Sequence, residues 1–221
     1  MSDSETDMLV VYVPVAAIRA ALRFTRRGMS SDVLHCVRVH CDTDGGAIMV
    51  EATDSYRLIQ LRVDPPRNNS QPKVDVLVDF GDGARLNGKI HGGCLHITGD
   101  HGYLSWALDK HGDGMRTYFR ARDEKFPDFG KLLPSDDVVY DGAVGVAFGG
   151  RLITDIYKAS LDIGAPYARM LGVPHSDKDT EYGPMAFGAV GNDISMRALI
   201  MPANYGSARR SYRRAYVGDQ A

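Results

Sequence analysis

The sequence predicts an α+β chain made of repeated strand–helix–strands modules, and three observations carry that expectation. Short runs with a period of two recur along the chain, two stretches change to helical spacing, and glycine supplies 24 of 221 residues, enough for many tight turns.

The elements follow in order. Residues 1–7, MSDSETD, read as a polar leader, and Met8–Val13 as a short β-branched strand. Pro14 suits the first turn of a helix, which the spacing of Val15, Ile18 and Leu22 carries to about Arg27, with Gly28 as the stop. Val33–Cys41 and Ala47–Ala52 alternate around the turn Asp42–Gly46, and Arg57–Val63 adds a third strand before the loop Asp64–Lys73. A second cycle runs from the strand Val74–Phe80 through a weak helical stretch at Gly81–Lys89 to strands at Cys94–Gly99, Gly102–Leu108 and Met115–Arg122. Phe126–Pro134, FPDFGKLLP, reads as a linker. A third cycle has a strand over Val138–Phe148 and a helix over about Arg151–Ile163 with Leu152, Ile153, Ile156 and Leu161 facing inward. The loop Ser176–Gly183 then leads to strands at Met185–Val190 and Ile194–Met201, followed by a basic tail, SARRSYRRAY.

The totals narrow the function classes. A formal net charge of −2 gives no global support for binding a polyanion, so only local basic clusters could do so. Three scattered cysteines, Cys36, Cys41 and Cys94, do not make a disulfide framework and point to a reducing cytoplasm. The acidic start is unlike a signal peptide, and no apolar run approaches the ~18 residues of a membrane span. Neither G-x-S-x-G, a phosphate-binding Gly-rich loop nor a dinucleotide fingerprint occurs, so no enzyme chemistry and no cofactor is expected. His35, Cys36, His40 and Cys41 crowd one segment, but strand alternation divides them between two faces and no zinc-type spacing is present, so a metal site is not expected.

Three segments carry a resemblance. Ala52–Leu58 (ATDSYRL), Lys125–Pro134 (KFPDFGKLLP) and Leu199–Pro202 (LIMP), in that order, are similar to three motifs of the β sliding clamp of bacterial DNA polymerase III. The resemblance implies a DNA-clamp fold with helices lining a central hole and sheets outside. It divides the chain into residues 1–134, like the family's middle domain, and residues 135–221, like the second half of its last domain plus the basic tail. That length suggests a compact version, phage-encoded or otherwise divergent.

Two surfaces follow from the resemblance. A clamp meets duplex DNA through sequence-independent phosphate contacts. Arg19, Arg23, Arg26 and Arg27 offer a basic stripe at helical spacing, and Arg151 and Lys158 are secondary candidates. The tail arginines Arg209, Arg210, Arg213 and Arg214 stand open between phosphate contact and a solubilising end. The resemblance also implies a peptide groove for a polymerase and a clamp loader. Carried over, it comprises Leu34, Thr53, Ser55, Tyr56, Arg57, Leu58, Pro127, Leu132, Leu199, Met201 and Pro202. Ser55 and Tyr56 stand where the family has Gly and His. Asp54 reads as a carboxylate that stabilises its turn. Related clamps close with about six pseudo-equivalent domains, which implies a homotrimeric ring, with a dimer or tetramer also open. The competing reading is a monomeric adaptor that binds a replication partner without encircling DNA.

Overall fold

The computed structural model describes residues 8–26, 32–43, 46–65, 71–81, 86, 92–107, 114–129, 133, 140–141, 150–174, 184–191 and 193–201. Among them, twelve strands and two α-helices form three successive modules. The first is β1 (Leu9–Tyr12), α1 (Val15–Leu22), β2 (Val37–Cys41), β3 (Ile48–Thr53) and β4 (Arg57–Val63). The second is β5 (Val74–Asp79), β6 (Cys94–Thr98), β7 (His101–Ala107) and β8 (Gly114–Arg122). The third is β9 (Tyr140–Asp141), α2 (Gly150–Asp162), β10 (Arg169–Pro174), β11 (Met185–Val190) and β12 (Ile194–Ile200).

The strands join in the order β1-β6-β7-β8-β5-β2-β3-β4-β12-β11-β10-β9. The first two modules are joined by their opening strands: β1 pairs with β6 of the second module, and β5 bridges the two, lying between β8 of its own module and β2 of the first. The third module keeps its own, β9 lying against β10. The first and third modules meet where β4 and β12 run antiparallel, with Leu58 opposite Leu199 and Arg57 opposite Ile200.

Alternation along the strands sends one apolar set toward the helices. Val37, Val39, Val50, Ile59, Leu61, Met196 and Ile200 join Ile18, Phe24, Ile156 and Ala159 in one core. A smaller cluster on the other face holds Cys36, Leu58, Leu77, Phe126, Phe129, Ala186 and Leu199. Cys36 is a buried thiol there, and burial pushes its pKa up to about 12. The Phe126–Phe129 segment, read above as a linker, thus folds onto the sheet, its two rings 5.4 Å apart.

Four expectations change. Helix α1 ends at Leu22, well short of Arg27. Phe24 buries its ring, its N–H bonds Ala21 O, and Arg26 N–H bonds Leu34 O, which takes the chain out of the helix. The strand read from Val33 begins at Val37, because Val33–His35 form a 3-10 turn capped by Asp32. Helix α2 buries Ile156, Ala159 and Ser160, whereas Ile153 and Leu161, expected inside, are exposed. Strand β10 was not expected at all. The strand read over Val138–Phe148 is described only at Tyr140–Asp141, and the stop at Gly28, the basic tail and most of Gly81–Lys89 lie outside the described residues. Among the described residues no helix is long and apolar enough to cross a membrane.

Candidate functional site: a groove at the β4–β12 seam

The turn between β3 and β4 is built by its own side chains. Asp54 Oδ1 accepts the N–H groups of Tyr56 and Arg57 (3.1 and 3.2 Å), and Thr53 Oγ donates to Arg57 O (2.8 Å). Ser55 sits at φ 77°, the left-handed region that favours glycine, so the turn holds a non-glycine residue where the resembling family has Gly. Met201 N–H bonds Tyr56 O at 2.8 Å and fastens the end of β12 to this turn.

A hollow of about 240 Å³ opens on this junction, lined by Leu34, Thr53, Ser55, Tyr56, Arg57, Leu58, Pro127, Pro184, Leu199 and Met201. Every groove residue expected from the sequence that falls among the described residues lines this one hollow. Leu132 and Pro202 lie outside the described residues. Pro184, just before β11, was missed, since it belongs to none of the three segments. The floor is apolar and continuous with the smaller core cluster through Leu58 and Leu199. The rim is accessible, with Tyr56 67% and Met201 49% exposed. A hollow of this make suits apolar side chains of an extended chain.

Arg57 connects the groove to the helices. Its Nε donates to Asp54 Oδ2 (2.9 Å), one terminal N–H group donates to Asp155 Oδ2 on α2 (2.6 Å), and the other to Arg23 O at the end of α1 (2.8 Å). The guanidinium lies over the Phe24 ring, 4.9 Å from its centroid. The turn is thereby held by groups from two modules.

The basic residues are arranged differently from the sequence expectation. Only Arg19 lies within α1, Arg23 is the residue that caps it, and Arg26 lies beyond, so they do not form a helical stripe. Arg19 Nε and Arg23 Nε both bind Asp162, at 2.9 and 2.6 Å, in a half-buried cluster between α1 and α2. Arg26 pairs with Asp32 at 3.2 Å. Arg151 and Lys158 are exposed on α2, and Arg27 lies outside the described residues. A second, wide-open hollow of about 380 Å³ lies where β5 and β8 diverge, but its Arg122 is matched by Asp79 at 2.7 Å. Among the described residues no three His, Cys, Asp or Glu side chains are grouped to hold a metal ion.

No family model and no curated protein matches the sequence. Solved structures do match its fold. The β subunit of the DNA polymerase of Streptococcus pyogenes matches with a TM-score of 0.56 at 13% identity, over 92% of this chain and 67% of that one. The DNA polymerase sliding clamp from Bacillus subtilis gives 0.55 at 13% identity, over 92% and 66%. A sliding clamp from Pseudomonas aeruginosa bound to griselimycin gives 0.55 at 14% identity, over 92% and 68%. The chain has the sliding-clamp fold and spans about two thirds of the length of these structures.

Proposed function

We propose that the chain is a sliding clamp: a processivity factor without catalytic activity that encircles duplex DNA and tethers a replicative polymerase and a clamp loader through the seam groove. The observation that carries the reading is the groove. Three segments far apart in sequence meet around one apolar hollow, on a fold of the sliding-clamp type. In this reading residues 1–134 form one complete two-module domain and residues 135–221 a reduced one, and copies assemble into a closed ring.

The division of labour follows from the layers. The sheet forms the outside and carries the groove, while the helices turn toward the DNA. Arg151 and Lys158, exposed on α2, are the first phosphate contacts, and Arg19 and Arg23 come second because each is already engaged by Asp162. Contacts of this kind bind without sequence preference and weaken with salt. At the groove, a partner's Leu or Phe side chain would displace water from Leu58, Leu199 and Pro127, with Met201 adjusting to its shape.

The test is binding of a labelled extended peptide with Leu and Phe anchors from a cognate polymerase, followed by fluorescence anisotropy. Met201→Ala is expected to weaken binding by roughly fivefold, about 1 kcal/mol, without altering the unfolding midpoint. Peptide affinity unchanged by Met201→Ala and by Tyr56→Ala would remove the groove from the account.

A further inference from the structure

The turn between β3 and β4 holds one residue in a conformation that its side chain disfavours. Ser55 has φ 77°, a region in which a Cβ is crowded and which glycine enters freely. The surroundings impose it. Thr53 Oγ accepts the Ser55 N–H at 3.2 Å, Asp54 Oδ1 accepts the N–H groups of Tyr56 and Arg57, and Tyr56 O accepts the Met201 N–H at the end of β12. The chain is thus fixed on both sides of Ser55. Residues held against strain in this manner cluster where ligands are contacted.

Glycine would make the same turn with less strain, so what serine adds is a side chain at the hollow. Ser55 is exposed and lines the hollow together with Leu58, Leu199 and Met201. Among the described residues its hydroxyl has no hydrogen-bond partner. The two buried polar residues of the lining are already engaged. Thr53 Oγ donates to Arg57 O, and the Arg57 guanidinium is committed to Asp54, Asp155 and Arg23 O. Arg57 is also the one charged residue among those that line the hollow. The site therefore offers an apolar floor, no uncommitted charge and a free hydroxyl on its wall.

We infer that Ser55 Oγ is a specificity-determining group, through which the hollow selects an extended peptide carrying a neutral hydrogen-bonding side chain, an amide or a hydroxyl, beside its apolar anchor. An apolar side chain laid over Ser55 would take the hydroxyl from water without replacing its hydrogen bond, and a site of that kind rejects an analogue that lacks the polar group. A carboxylate fares no better, since the lining holds no free cation to offset its loss of water. This selection rests on the reading of the hollow as a peptide site.

Three labelled peptides test it, each extended, with Leu and Phe anchors, and differing only in Asn, Leu or Asp placed on each side of the Leu anchor in turn. The three side chains are nearly the same size, so shape is held constant. At one of the two positions, fluorescence anisotropy with the full chain is expected to rank Asn about tenfold above Leu and Asp. Ser55→Ala keeps the Cβ and its strain and removes only the hydroxyl, and it should bring the Asn and Leu peptides within about twofold of each other. Ser55→Gly should do the same without lowering the unfolding midpoint, because glycine relieves the φ. An Asn preference that survives both substitutions, or none at either position in the unaltered chain, would overturn the inference and leave the groove in place. Binding of none of the peptides would remove the groove itself, and the inference with it.

Discussion

The β4–β12 seam has two faces, and they are finished in opposite ways. On the outer face Leu58 and Leu199 are covered only in part, leaving a hollow rimmed by Tyr56 and Met201. On the helix face the same seam is closed with charge: Asp155 grips Arg57, and Asp162 grips Arg19 and Arg23. Both sets of residues join the first module to the third, yet only the outer set is left with unfilled apolar surface. An open groove can survive at such a junction. Directional charged contacts on one side fix the register of the two modules, so the other side need not be packed shut.

Arg57→Ala is expected to disturb the helix face of the seam most. Arg57 is 5% exposed and its partners Asp54 and Asp155 only 17% and 15%. Its removal takes the guanidinium from Asp54 Oδ2, leaves Asp155 with only Arg151 at 4.0 Å, and uncovers Arg23 O, at a cost of about 3 kcal/mol. Urea unfolding measures it. A loss below about 1 kcal/mol would mean that apolar packing alone holds the seam.

Asp162→Asn is a milder and more informative change. Its two arginine partners are 22% and 28% exposed, so water discounts the ion pairs and the expected loss is about 1 kcal/mol. Releasing those arginines should also steepen the dependence of DNA affinity on salt, by up to about 0.9 in the logarithmic slope per arginine that reaches a phosphate. A slope identical to that of the unaltered chain would show that Arg19 and Arg23 are purely structural.

A smaller effect is expected one strand away from the seam, on the outer face of β2 and β3, where Gln60 of β4 donates to Glu51 at 2.7 Å. Glu51 is buried, with Arg38 at 3.3 Å and His40 Nε2 at 3.4 Å. Burial disfavours charge on His40, but the adjoining Glu51 carboxylate outweighs it, and the net pKa is raised above 6.5. A raised folded-state pKa contributes stability that is full below pH 6.5 and is lost as pH rises through the folded value. Unfolding followed between about pH 6 and 8 should therefore show a decline of about 1 kcal/mol or less, absent from His40→Gln. An identical profile in that variant would contradict the coupling.

The groove was legible in the sequence because its residues sit in three short motif segments that strand pairing and a folded-back Phe-Pro-Asp-Phe stretch bring together. Leu58 opposite Leu199 in the β4–β12 ladder is the physical link. The helix layer was less legible. Four arginines without an intervening acid read as a basic stripe for phosphate contact, but the acid that binds two of them is Asp162, 143 and 139 residues away, and no local pattern announces it. Ile153 and Leu161 were assigned inward because they are apolar, although the buried side of α2 is made largely by Ile156 and the small residues Ala159 and Ser160. Strand β10 was hidden by its Gly172 and Pro174 and by a register shift between Met170 and Gly172, which remove the alternation that marks a strand.

Encirclement is tested by retention on DNA of different topology. The protein is incubated with nicked circular DNA, the salt is raised to dissolve phosphate contacts, and the DNA is then cut once. A closed ring is expected to stay on the circle at high salt and to leave when the circle becomes linear, because only a closed ring is trapped by topology. Equal loss from circular and linear DNA as the salt rises would contradict it.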